Sequence, residues 1–429
     1  MLIRALCINK IMEDILLDDR ERDIKYEARK IVKDIPHELI RDIESEKVTF
    51  PKEFIKAVAG ITGLRFAAKY GGRNATWVAE MAAVEEMGYL GFTLSCMYSL
   101  GSIVGEPINR FGTEEQKEKY LKGITSGEKY GAEAITEPTG GSDLFGMMRT
   151  RAVKNGSKFV LNGQKRFVVG GKGADFFVTY AITDPNAKPI TRGITAFIVD
   201  RESPGLRVET VYGLMGTKGG GTSRIIYRDM EVPEENVIGN VNSGYDVFNI
   251  MMIPERLTTA AGSIGVGLAA IELAADYATK REAFGKKLIE HEAISFKIAE
   301  ALTSLTQASS LVYLASRAAD MFDRNAVQLS YVRKLISMAK MNSTEVMWNA
   351  VNSAMQVFGG IGYTTIYPIE RLLRDARLGM IWTGTNEVMK MIVQHEYGKE
   401  IRDPEYWKNR RNVELDALDF ELKDEKVFK

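Results

Sequence analysis

Two cysteines, Cys7 and Cys96, and three scattered histidines, His37, His291 and His395, occur in 429 residues. None has metal-ligand spacing, so neither a disulfide framework nor a Cys-type zinc site is expected, and a reducing cytosol is the natural compartment. An excess charge of either sign is also missing. Lysine plus arginine balances aspartate plus glutamate at 57 each. No net field draws the chain to nucleic acid or to anionic lipid, and neither is an expected partner. Long apolar runs are lacking as well. The opening Met1-Leu2-Ile3-Arg4-Ala5-Leu6-Cys7 has no full apolar segment before Glu13-Asp14, and no window reaches the roughly 18 uncharged apolar residues of a membrane span. The expectation is a soluble, cytoplasmic protein whose chemistry relies on carboxylates and a borrowed organic cofactor.

What is present reads as an ordinary globule, with 45% hydrophobic and 27% charged residues. The length suits two or three domains of about 100–200 residues each. Over residues 1–129 apolar residues recur at helical spacing, as in Trp77-Val78-Ala79-Glu80-Met81, which predicts a helical domain. Over 130–240 short β-branched and aromatic runs take over: Phe159-Val160-Leu161, Phe176-Phe177-Val178-Thr179-Tyr180, Thr195-Ala196-Phe197-Ile198-Val199 and Ile225-Ile226-Tyr227. These predict a β domain, with Asn162-Gly163 as a hairpin turn. Over 241–400 helical spacing returns and predicts a bundle, in which small residues such as Gly265 and Gly267 allow close helix approach. Residues 401–429 form a charged tail, read as frayed or as a short amphipathic helix at a subunit contact. The fold class is α+β.

Several segments carry chemistry. Thr136-Glu137-Pro138-Thr139-Gly140-Gly141-Ser142-Asp143 is a hydroxyl- and glycine-rich loop whose N–H groups can face a ligand's acceptor atoms, although such a loop alone is more often only a turn. It continues to Asn162-Gly163-Gln164-Lys165. Further on stand Arg281-Glu282-Ala283-Phe284-Gly285-Lys286 with His291-Glu292-Ala293-Ile294, then Gln356-Val357-Phe358-Gly359-Gly360, then Tyr367-Pro368-Ile369-Glu370-Arg371 and Arg374-Asp375-Ala376.

In this order and spacing, from about Gly63 to Glu400, these motifs resemble the acyl-CoA dehydrogenase family. The resemblance implies an N-terminal helical domain, a middle β-barrel-like domain and a C-terminal four-helix bundle. It implies FAD as cofactor, held by Ala134, Ile135, Thr136, Gly141 and Ser142, by Phe167, Val168 and Val169, by Arg281, Phe284 and His291, by Gln356, Phe358, Gly359 and Gly360, and by Thr385 and Glu387. Arg281 would fork onto the pyrophosphate, as a permanently charged guanidinium can. The Gly359-Gly360 loop would reach a neighbouring subunit's FAD, implying a homotetramer built as a dimer of dimers. An acyl-CoA thioester and an electron-transfer flavoprotein are the implied partners.

The resemblance also locates a base. Many relatives place a glutamate just before the Gly-Thr of the last flavin loop, where this chain has Thr383 before Gly384-Thr385. A neutral hydroxyl cannot serve as a base at neutral pH. Isovaleryl-CoA and long-chain relatives carry the base in a Glu-Arg pair on a helix, matched here by Ile253-Pro254-Glu255-Arg256. Glu255 is therefore the expected α-proton base, with Ser142, Arg256, Thr383 and Gly384 as substrate contacts. From the residue alone, Glu255 would read as a surface glutamate paired with a cation. Pro254 should either kink its helix or begin a new one. Val169 replaces a threonine that bonds the flavin in relatives, a loss of roughly 0.5–1.5 kcal/mol. It leaves open a flavin oxidase or monooxygenase that uses O2; a non-enzymatic or nucleic-acid-binding relative is the third reading, opposed by the charge balance and the intact motifs.

Overall fold

The computed structural model describes residues 15–408 and 410–416. The reading of the first residues and of Cys7 lies outside them, as does the end of the charged tail. The N-terminal part comprises α1 (Asp19–Asp34), α2 (His37–Glu44), α3 (Lys52–Val58), α4 (Trp77–Met87) and α5 (Phe92–Phe111), followed by a short helical stretch that ends at Ser126. A capping box starts α1, in which Glu21 N–H donates to Asp18 and Asp18 N–H to Glu21. Every residue of α4 is buried, its acids included. Those carboxylates are paired: Lys25 meets Glu85 at 2.9 Å and Arg29 meets Glu86 at 2.7 Å. Burying a charge is tolerable only with such partners.

The middle part holds β1 (Gly131–Ala134), β2 (Arg151–Asn155), β3 (Lys158–Val168), β4 (Phe176–Ile182), β5 (Ile194–Asp200), β6 (Leu206–Val211), β7 (Ser223–Pro233) and β8 (Val237–Ile238). Their order is β6-β7-β3-β2-β4-β5-β8, with β1 parallel to β4. One residue pair, Arg151 with Ile182, joins β2 to β4, and there the sheet folds over. The two halves then face each other. Phe159 of β3 packs on Phe197 of β5 at 5.3 Å, and Tyr227 of β7 donates to Thr179 of β4 at 3.1 Å.

The hairpin turn is not where the sequence suggested. Asn162-Gly163 lies inside β3; the chain reverses instead at Gly156-Ser157, with Gly156 at φ +60°. A register shift at Leu161/Gly163 marks a bulge. Asn162 bonds across to Asp229 of β7, and a Cβ on Gly163 would sit 2.4 Å from the Thr150 hydroxyl. Gly163 is required by close approach, which in sequence looks the same as a turn.

The C-terminal part comprises α6 (Gly244–Lys280), a small hairpin of β9 (Glu282–Ala283) and β10 (Lys286–Lys287), α7 (Glu292–Asp323), α8 (Leu329–Phe358), α9 (Ile369–Gly379) and α10 (Asn386–Glu400). Helix α6 is long and apolar enough to cross a membrane, yet 83% of its apolar window is buried inside the fold as the core helix. It runs through Pro254 unbroken, so proline does not begin a new helix there. The small residues do what their pattern implied: a Cβ on Gly265 would lie 1.9 Å from the Glu85 carbonyl, and one on Gly88 2.6 Å from the Gly262 carbonyl. Of the charged tail, Pro404–Lys408 is helical, and Trp407 Nε1 donates to the Ile401 carbonyl at 2.9 Å.

Candidate active site

Because α6 is continuous, Met251, Glu255 and Thr258/Thr259 succeed one another on one face of it. That face meets α5 across a narrow cleft lined by Ser95, Cys96 and Ser99 of α5, by Glu255, and by Trp382 and Thr383 of the loop before α10. Glu255 is half-buried as a residue, but its Oε2 is sealed from solvent and has no hydrogen-bond partner among the described residues. Burial pushes its pKa up to about 7, against the pull of Arg256 and Lys340. Arg256 is buried beside it and donates to the Ser337 hydroxyl at 3.4 Å, while burial and neighbouring Arg333 push it down to about 10.

The loop that faces Glu255 is under constraint. Thr383 has φ +54° and Gly384 φ +86°. A left-handed threonine costs roughly 1–3 kcal/mol and persists only where its surroundings enforce it. Lys340 of α8 does so, donating to the Gly384 carbonyl at 2.8 Å and to Asn386 Oδ1 at 3.0 Å. Thr385 caps α10 by accepting from Val388 N–H, and exposed Glu387 occupies its first turn. The Thr383 hydroxyl and Trp382 Nε1 are buried and, like Glu255 Oε2, have no hydrogen-bond partner among the described residues.

The glycine-rich loop leaves β1 with Ala134 and Ile135 buried and Gly141 and Ser142 exposed. Its anchor is a buried ion pair, Lys165 with Glu137 at 2.9 Å. Lys165 also donates to the Ile135 carbonyl at 3.1 Å, and Glu137 accepts from the N–H groups of Arg149 and Thr150. At the end of β3 a register shift and a positive φ of +57° turn Phe167 outward, half exposed, with its ring 5.1 Å from Tyr212. Val168 is buried and Val169 half-buried. Ala134, Ile135 and Val168 thus offer a ligand their main chain rather than their side chains.

The remaining expected residues lie elsewhere in the same chain. Arg281 ends α6, 26 residues past Glu255, or about 39 Å at 1.5 Å per residue. Beside it, exposed Phe284 tops the β9–β10 hairpin at φ +53°, and His291 Nε2 contacts the Ala283 carbonyl at 3.0 Å. Gln356, Phe358, Gly359 and Gly360 close α8 at this end. Phe358 is buried, stacked on Tyr277 at 4.4 Å and near Tyr367 at 4.8 Å, so its ring cannot face a ligand. One chain therefore does not bring the whole expected set together.

Two groups escaped the sequence reading. Lys340 lies in an unremarkable helical pattern, and nothing local marks it as the support of a distant loop. Glu133 sits in β1 next to the expected Ala134, its Oε1 sealed and without a partner among the described residues. A single acid within the run Gly131-Ala132-Glu133-Ala134 was the available signal.

The geometry agrees with comparisons that span most of the chain. The family models "Acyl-CoA dehydrogenase, N-terminal domain", "middle domain" and "C-terminal domain" match residues 18–128, 132–230 and 242–398. An acyl-CoA dehydrogenase of Bacillus subtilis is 37% identical over 371 residues, covering 85% of this chain and 95% of that one. Subunit CarC of the caffeyl-CoA reductase-Etf complex of Acetobacterium woodii is 38% identical over 366 residues, covering 84% and 93%. The solved FAD complex of PigA superposes with a TM-score of 0.82 at 26% identity, over 89% of this chain and 98% of that one. FAD also suits the residues present. Unpartnered Trp382 Nε1 and Thr383 Oγ1, an outward Phe167 and the open space beside Gly141 provide donors, an aromatic face and room for such a ligand. From its N-terminal helices to its final bundle, the chain belongs to the acyl-CoA dehydrogenase family, oxidoreductases that bind FAD.

Proposed function

We propose that Glu255 takes the α-proton of an acyl-CoA thioester, giving the trans-2-enoyl-CoA, and that the electrons pass on to an electron-transfer flavoprotein. The observation that carries this reading is the sealed, unpartnered Oε2 of Glu255 at the cleft it shares with Thr383. FAD, when bound, supplies the acceptor for the β-hydrogen and its electron pair. The protein's own part is to orient and to dry. Phe92 and Trp382, with rings 5.1 Å apart, wall the cleft against water. Lys340 fixes the loop that carries Thr383. A carboxyl poised near neutrality is well matched to proton abstraction at physiological pH.

The same carboxyl can return a proton, so enoyl-CoA reduction is the second reading; the similarity to CarC of a reductase-Etf complex favours it. The far end of the bundle supports assembly into a homotetramer. There Phe284, Tyr363 and Ile366 are 98%, 85% and 71% exposed, apolar surface that a neighbouring subunit would cover in such an assembly.

The test is Glu255→Gln. It should retain FAD while flavin bleaching by acyl-CoA under anaerobic conditions slows by roughly 10²–10⁴-fold, the usual worth of a positioned base. Bleaching at the unaltered rate would overturn the assignment. Rapid reoxidation by air of the acyl-CoA-reduced protein would favour an oxidase over transfer to a flavoprotein.

A further inference from the structure

We infer that the acyl group this protein takes carries a neutral hydroxyl on its chain, read by Thr258 and Thr259, rather than a plain hydrocarbon tail. The inference rests on the reading of the Glu255 cleft as the place where an acyl-CoA reacts. That cleft has a direction. On α6 it is lined by Glu255, Thr258 and Thr259 and by no described residue before Glu255, so it extends from Glu255 toward the C-terminal end of the helix. The threonines stand three and four residues on, about 5 Å further at 1.5 Å per residue. They face Ser95, Cys96 and Ser99 of α5. Among the described residues that line the cleft, only Phe92 and Ile103 have no polar or sulfur atom in the side chain. A cavity for a saturated chain has the reverse composition, mostly apolar with a few polar groups.

The hydroxyls differ in what they already bond. Ser99 and Ser263 turn theirs back onto the carbonyls of Ser95 and Thr259, one helical turn earlier, both at 2.7 Å. Thr258 and Thr259 do not, and neither hydroxyl has a hydrogen-bond partner among the described residues. Yet the two residues are only 3% and 5% exposed, so bulk solvent does not serve them. A hydrocarbon tail filling the cleft would leave both donors unpaired, which a buried site tolerates badly. A hydroxyl both accepts and donates, and so satisfies a threonine. Its neutrality follows from the same walls. Among the described residues no lysine, arginine or histidine lines the cleft. A carboxylate would therefore meet Glu255 without a counter-charge, and an ammonium would pair with Glu255 and occupy the base. The offset of about 5 Å is the span of about four bonds in an extended chain, which places the hydroxyl on the fifth carbon of the acyl group.

Three acyl-CoAs that differ only beyond that carbon test the inference: 5-hydroxypentanoyl-CoA, hexanoyl-CoA with a methyl in place of the hydroxyl, and adipyl-CoA with a carboxylate there. The readout is the second-order rate constant of anaerobic flavin bleaching in the holoenzyme. The hydroxyl compound should lead hexanoyl-CoA by roughly tenfold or more, with adipyl-CoA slowest. Thr258→Val/Thr259→Val keeps the shape of both side chains and removes both hydroxyls, and it should bring the preference to near unity. Hexanoyl-CoA as fast as the hydroxyl compound, adipyl-CoA ahead of it, no bleaching by any of the three, or a preference that survives the double variant overturns the inference. Should the double variant fold poorly, Thr258→Ala and Thr259→Ala are measured singly, and the order of the three compounds on the unaltered holoenzyme stands without any variant. That order does not depend on which group takes the proton. If Glu255 is not the base, Glu255→Gln bleaches at the unaltered rate, while the comparison still judges the threonines.

Discussion

Lys165→Met is the sharpest test of how the fold holds its flavin loop. The ammonium is fully buried and the Glu137 carboxylate nearly so, 2.9 Å apart. Glu137 keeps two N–H donors, from Arg149 and Thr150, when the lysine is removed, but it loses the cation it pairs with. The Ile135 carbonyl loses a donor at the same time. Breaking a buried pair from one side costs about 3–5 kcal/mol, because the remaining charge is left uncompensated. Burial alone would raise Glu137, yet Lys165 and the hydrogen bonds hold it below the usual carboxylate value. A lowered carboxylate contributes stability above its unfolded pKa and loses it as pH falls. In Lys165→Met that advantage is gone, so the variant's deficit should be largest near pH 7 and shrink toward pH 5 as Glu137 takes up a proton. Urea unfolding of the holoenzyme at the two pH values, with FAD retention on gel filtration, measures both effects. Adding Glu137→Leu should restore much of the loss, as replacing both partners is far cheaper than removing one. A single-variant loss under about 1 kcal/mol at pH 7, against the 3–5 expected, or no rescue in the double variant, would refute the reasoning.

Two further outcomes follow from the geometry. With Glu255 pushed up to about 7, the rate of acyl-CoA oxidation should climb with pH through that value, since the base works only when ionised; stopped-flow bleaching between pH 5.5 and about 9 reads it. Gly265→Ala places a methyl 1.9 Å from the Glu85 carbonyl and should sharply lower Tm or yield of soluble protein. Gly360→Ala, where a Cβ meets nothing within 4 Å, should change Tm little.

Much of this protein is legible along the chain because its signals are local. Helical spacing, β-branched runs and turn residues depend on neighbours within a few positions, and they locate the helical, β and helical regions. No local signal marks Glu255, which alone reads as a surface glutamate; only the resemblance to relatives with a Glu-Arg pair on a helix, with Thr383 where others have a loop acid, points to it. Local signals also mislead. Asn162-Gly163 looks like a turn, but its glycine answers to Thr150 across a strand pair. Glu85 and Glu86 look like an exposed face, but α4 is wholly interior and their cations come from α1.

What tertiary structure alone decided is which distant groups share a wall. Glu255 takes its raised pKa from burial against α5 and the Trp382 loop, not from its sequence neighbours, since adjacent Arg256 pulls the other way. Lys340 matters only because α8 arrives under the loop that carries Thr383 and Gly384. The separation of Arg281 from Glu255 is likewise set by the unbroken course of α6. Chain order records which residues are available; proton affinity depends on desolvation and through-space charge, and those exist only once the walls are packed.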